Sequence, residues 1–144
     1  LIFNYIFFVS LENNFGKRKI IHTEKAPAAI GTYNQAILTG NLLFTSGQIA
    51  INPLTGKLVD GNAKPQTEMI FKNIMAILNK ANLDKKHIVK LNVFLINLKD
   101  FEKVNQAFKS FFNDNSYPAR TTVEVSRLPM DALVEIDCIA CLDA

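Results

Sequence analysis

The sequence has no tryptophan, only two cysteines and two histidines, and six glycines among 144 residues. The scarcities of cysteine, histidine and glycine each remove a class of protein. Two cysteines cannot build the disulfide framework on which small secreted domains depend. Cys138 and Cys141 lie three apart in an apolar run that reads as a strand, so alternation sends them to opposite faces. Neither a bridge between them nor a shared metal fits that arrangement, and reduced, unligated thiols are expected. His22 and His87 belong to no set of cysteines and carboxylates at zinc-ligand spacing, and no metal is expected. The few glycines form no phosphate-cradling loop or dinucleotide fingerprint, and no zinc-protease signature occurs.

Charge of one sign is also scarce. Sixteen Lys and Arg against thirteen Asp and Glu leave a formal +3, well short of the concentrated basic surface of a dedicated nucleic-acid binder. Long apolar runs are missing too. The longest, "LIFNYIFFVS" at residues 1–10, falls short of the roughly 20 residues that span a bilayer, so no membrane association is expected. The basic "GKRK" of residues 16–19 follows it, the reverse of the order in a targeting presequence. Residues 1–18 are read as an extension, either low in structure or the remnant of a targeting segment, and residues 19–144 as one domain. The 49% hydrophobic content suffices for a sizeable core.

Along the domain, "KIIHT" is a short strand. "NQAILTG" and "NLLFTSGQIAI" form a hairpin turning at Gly40-Asn41. Met69, Ile70, Ile74, Ile77, Leu78 and Ala81 recur at helical spacing, predicting a helix over 66–82 with Pro65 suited to its first turn. His87 to Leu98 reads as a strand. A second helix begins at Asp100 as N-cap and buries Phe101, Val104, Phe108, Phe111 and Phe112 in the core. "RTTVEVSRL" and "LVEIDCIACL", separated by a short turn, are expected to pair as an antiparallel hairpin. The order β-β-β-α-β-α-β-β, with both helices covering one sheet face, is an α+β architecture.

Candidate chemistry sits at the strand ends. Arg120, Thr122, Glu124 and Ser126 share one face of their strand, while Thr121, Val123 and Val125 share the other, expected to meet the core. Glu135 and Asp137 interrupt the otherwise apolar last strand. Two readings stand: Arg120 forms a cross-strand ion pair with these acids, or it clamps an anionic ligand near a carboxylate that handles protons. Ser46 and Gly47 in "FTSGQ" offer a hydroxyl and an unhindered backbone at a strand end. No histidine lies nearby in sequence to activate Ser46 as a nucleophile.

The segments "KAPAAIGTYNQAI", "LFTSGQI", "NPLTGKLV", "DFEKVNQAF", "YPARTTVEVSRLP" and "VEIDCIA" resemble, in order and spacing, the RidA (YjgF) family over about residues 20–143. The resemblance implies a chorismate-mutase-like α+β fold and a homotrimer with ligand clefts between subunits. It also implies cofactor-free hydrolysis of reactive 2-enamino and 2-imino acids, such as 2-aminoacrylate, to 2-keto acids and ammonia. Arg120 would bind the substrate carboxylate and Glu135 would activate water. Tyr33, Ser46, Gly47, Asn105 and Thr122 would line the cleft. Two positions depart from the family pattern: Gly31-Thr32-Tyr33 replaces Gly-Pro-Tyr, and Thr122 stands where bacterial members carry cysteine. The resemblance leaves two other classes open, an endoribonuclease or translation inhibitor and a non-catalytic ligand-sensing module. Nucleic-acid binding is not expected, because the charge is dispersed and the aromatics follow core spacing. A cytoplasmic location is expected, or an organelle if the extension is a targeting sequence.

Overall fold

The computed structural model describes residues 17–144. The apolar run at residues 1–10 and most of the 1–18 extension lie outside the described residues. Strand β1 (Lys19–Ile21) pairs antiparallel with β2 (Ala36–Thr39), and Gly40, at φ +57°, turns the chain into β3 (Leu42–Thr45). That left-handed conformation costs glycine nothing, which is why the turn falls there. Helix α1 (Ala63–Lys80), strand β4 (Ile88–Leu95), helix α2 (Phe101–Phe111), β5 (Ala119–Glu124) and β6 (Val134–Cys141) complete the order read from the sequence. They form an α+β layer of two helices on one six-stranded sheet, arranged β1-β2-β3-β6-β4-β5.

The expected hairpin between the last two strands does not form. β6 inserts between β3 and β4, antiparallel to both, while β5 pairs in parallel with β4 at the sheet edge. The burial pattern supplies the reason. Val134, Ile136, Cys138 and Ala140 are at most 1% exposed, and a central position buries them fully. Strand β5, with Arg120, two threonines and Glu124, suits an edge. Helix α2 then serves as the crossover between parallel neighbours.

Helix α1 begins three residues earlier than expected, because the Asn62 side chain accepts a hydrogen bond from the Lys64 N–H at 2.9 Å and caps it. Asp100 occupies the N-cap position of α2 but does not cap. Its backbone is already helical, and its carboxylate instead meets Lys103 Nζ at 2.7 Å. The side chain of Asn97 caps the short turn leading into the helix. Ile70, Ile74, Ile77 and Val104 from the helices pack on Leu43, Leu91, Val93, Leu95 and the buried row of β6. Each such aliphatic side chain contributes about 1.5–3 kcal/mol through burial.

Among the described residues the other sheet face carries no helix. Phe44 and Val123 are each 40% exposed on it, and Asn92 Nδ2 donates to Asp137 Oδ1 at 2.8 Å. The row Thr121, Val123 and Val125, expected on the core, belongs to this open face. Arg120 pairs across the strands with Leu91, which pairs with the core residue Cys138, so it is the Arg120 and Thr122 row that turns toward the helices. Cys138 and Cys141 do point to opposite faces, the first buried and the second half-buried. Burial pushes the Cys138 thiol up to about 12.

Candidate active site

One group of candidate residues gathers where β3 leaves the sheet. Ser46 is fixed twice: its N–H donates to Gln35 O at 2.9 Å, and its hydroxyl donates to Asn34 O at 2.6 Å. Gln48 exchanges backbone hydrogen bonds with Ile136 at 2.8 and 3.0 Å, which locks the Ser46-Gly47-Gln48 segment beside Glu135 on β6. A Cβ at Gly47 would collide with the Glu135 carboxylate, so only glycine lets backbone and acid lie this close. Tyr33 completes the wall, its hydroxyl accepting a hydrogen bond from the Ile30 N–H at 3.3 Å. Its N–H donates to Gly31 O at 2.9 Å, so the turn closes with Thr32 in place of proline.

These side chains line a cavity of about 250 Å³ whose other walls include Ile49, Ile51 and Pro129. Glu135 has its pKa raised, first by burial and then by the neighbouring charge of Asp137. Sequence reasoning missed Gln35, which is 2% exposed. Its side-chain amide donates to Thr23 O at 2.9 Å and Pro27 O at 2.8 Å, and its Oε1 accepts from Thr23 N at 2.7 Å. It thereby ties down the loop that carries one wall of the cavity.

The second group lies on the helix side. Arg120 Nη1 donates to Asn105 Oδ1 on α2 at 2.8 Å, and the guanidinium stands 5.1 Å from the Phe101 ring centre and 4.7 Å from that of Phe108. Asn105, Lys109, Tyr117 and Pro118 surround it in a separate cavity of about 480 Å³. Burial draws the Arg120 pKa down, but an arginine so far above neutrality keeps its charge. Thr122, two residues on, has a buried hydroxyl with no hydrogen-bond partner among the described residues. Phe101, expected in the core, is 39% exposed instead. The signal that could have revealed its place was the shared helix face of Phe101, Asn105 and Phe108.

The two groups do not meet within one chain. Glu135 pairs across the strands with Phe94, which pairs with Val123, all on the open face, whereas Arg120 lies in the row facing the helices. Strand β4 also separates β5 from β6. The cross-strand ion pair between Arg120 and the acids of β6 is thereby excluded, and among the described residues no carboxylate pairs with Arg120. What the chain displays is a partly buried guanidinium without a carboxylate partner and a partly buried carboxyl of raised pKa, on opposite faces of one sheet.

The family model described as endoribonuclease L-PSP matches residues 23–142. A RutC family protein of Pyrococcus abyssi is 48% identical over 123 residues, covering 85% of this chain and 96% of its own. The chloroplastic Reactive Intermediate Deaminase A of Arabidopsis thaliana is 44% identical over 126 residues, 88% of this chain and 67% of its own. Among solved structures, E. coli TdcF with bound serine superposes with a TM-score of 0.81 at 41% identity, covering 85% of this chain and 98% of that one.

Proposed function

The chain belongs to the endoribonuclease L-PSP family, which embraces the RutC and RidA proteins, and from that membership we propose that it hydrolyses 2-enamino and 2-imino acids to 2-keto acids and ammonia without a cofactor. The observation that carries this reading is the pair of incomplete half-sites. Arg120 is a fixed, partly buried cation with no carboxylate partner among the described residues, and Glu135 is a carboxyl of raised pKa in a cavity of its own. A substrate with a carboxylate at one end and an electrophilic C=N carbon beside it needs both.

Because one chain cannot join the halves, the reading requires a second copy. A homotrimer, closed so that the Arg120 cavity of one subunit abuts the Glu135 cavity of the next, would bury the open sheet face and make three equivalent clefts. Arg120 then forks onto the substrate carboxylate with two parallel hydrogen bonds, orienting the imine carbon toward water. An enamine substrate first takes a proton at its carbon and gives one up from its nitrogen to become the imine. Glu135, as carboxylate, accepts a proton from water while the oxygen bonds to the C=N carbon and the nitrogen takes up the displaced electron pair. The protonated Glu135 gives its proton to that nitrogen, completing the amino alcohol, and as the C–N bond breaks the hydroxyl proton passes through the Glu135 carboxylate to the departing ammonia, leaving the ketone. Tyr33, Ser46, Gly47, Asn105 and Thr122 shape the cleft, the orphaned Thr122 hydroxyl being free to meet a ligand or water.

The plant relative named as a reactive intermediate deaminase supports this assignment, and so does the TdcF structure named with bound serine, since an amino acid carries the same carboxylate-next-to-nitrogen pattern. The family description also names ribonuclease activity, the competing reading. The test is keto-acid formation by the purified full chain when a dehydratase generates 2-aminoacrylate in its presence. Turnover that tolerates salt supports imine hydrolysis, while RNA cleavage that falls steeply with salt favours the alternative. We place the protein in the cytoplasm, with an organelle as the alternative suggested by its chloroplastic relative. Among the described residues no helix is long and apolar enough to cross a membrane.

A further inference from the structure

Helix α2 presents Phe101, Asn105 and Phe108 at i, i+4 and i+7, a single stripe of a helix with 3.6 residues per turn. Seven residues rise about 10 Å along the axis, enough to seat a planar guanidinium between two rings. That is where Arg120 sits, with Cζ 5.1 Å from one ring centre and 4.7 Å from the other, and with Nη1 bonded to the intervening Asn105. Phe108 is buried, so its ring would be placed by the core in any case. Phe101 is 39% exposed and contributes little to the core, which leaves its position unexplained by packing.

We propose that Phe101 is a positioning residue: with Phe108 and Asn105 it cradles the Arg120 guanidinium and fixes which edge of the fork faces the adjoining cavity. The choice of partners has a physical logic. A carboxylate would hold the arginine more firmly but would occupy the donors and cancel the charge that a ligand needs. Aromatic faces attract the cation through their quadrupole without using a single N–H. One neutral amide takes one donor, and most of the five N–H groups stay available. An arginine on an edge strand would otherwise sample many rotamers, and ordering it beforehand removes that entropic cost from ligand binding.

The inference rests on the reading of Arg120 as an anion clamp, so its test separates the two. The full chain is titrated by calorimetry with 2-ketobutyrate and with its methyl ester, which keeps the shape and loses the charge. Phe101→Leu retains apolar bulk without the ring, and Phe101→Tyr retains the ring. The expected result is affinity for the keto acid about three- to tenfold weaker in Phe101→Leu, on the scale of a cation–π contact. Affinity for the ester should be unchanged and Phe101→Tyr should match the wild type. The Arg120 Nε–H resonance should be ring-shifted in the wild type and in Phe101→Tyr, and should move back in Phe101→Leu. Equal losses for acid and ester, or undiminished acid binding by Phe101→Leu, overturn the cradle and leave the clamp standing. If the wild type binds no keto acid yet shows the ring-shifted resonance, the substrate reading fails and the cradle stands.

Discussion

Arg120 and Glu135 stand on opposite faces of one sheet, separated by strand β4 and by the sheet's own thickness. Any chemistry that uses both must borrow one of them from another copy of the chain. Assembly is therefore part of the proposed site and can be tested as such.

Arg120→Lys and Glu135→Gln should each be nearly inactive alone. When the two are unfolded together and reassembled, activity should return to about a quarter of the wild-type level, because a quarter of random interfaces pair an intact arginine with an intact glutamate. Steady-state rates on mixed and unmixed samples check this, with light scattering to confirm a trimer. A mixture as inactive as its components would remove the shared-cleft arrangement.

Arg120→Lys should lower turnover by about ten- to a hundredfold or more. Lysine keeps the charge but loses the planar fork, and a charge-assisted hydrogen bond contributes roughly 1.5–3 kcal/mol. A thermal melt should show the fold intact, since Arg120 lies on an edge strand.

Gly47→Ala should abolish activity while sparing the core. The added methyl would strike the Glu135 carboxylate, and relief requires the acid to leave its position. The expected cost in stability is about 1–3 kcal/mol, as for other overpacked sites. Denaturant unfolding alongside the rate measurement separates the two effects.

The raised pKa of Glu135 has a consequence for stability whose sign is definite. The fold favours its protonated form, so its stabilising contribution is complete below the unfolded-state pKa and is lost as pH rises through the folded value. Glu135→Gln should thus match the wild type in acid and become the more stable protein above the raised pKa. The wild-type rate should fall on the acid side at a higher pH than an unperturbed glutamate would give, because the base is lost there. Urea titrations across pH, paired with a pH–rate profile, test both.

Cys138 should resist alkylation in the native protein and react only on unfolding, since burial holds its thiol near 12 and the thiolate is the reactive form. Mass spectrometry after labelling with and without denaturant reads this directly.

Much of the fold was legible along the chain because its signals are local. The helical spacing from Met69 to Ala81, the Gly40 turn and the alternation of Val134, Ile136, Cys138 and Ala140 each depend on residues a few positions apart. The motif segments likewise placed Arg120 and Glu135 in a recognisable pattern. The partners of those residues were not legible in the same way. Phe101 carries the same helical spacing as the core phenylalanines, and its place beside Arg120 depends on which strand lies beneath α2. Gln35 reads as an ordinary strand-end amide until the loop at 23–27 folds back over it.

By itself, then, the sequence determined the elements, their order and which residues of each strand share a face, because backbone periodicity and turn chemistry act over a few residues. Tertiary structure alone decided that β6 would enter between β3 and β4, that Thr121 and Val123 of β5 would face away from the helices, and that Arg120 and Glu135 would be divided by the sheet. Those outcomes follow from competition among strands for the most buried position. That competition is settled by apolar area summed over the whole layer, a quantity that no local stretch of the chain contains.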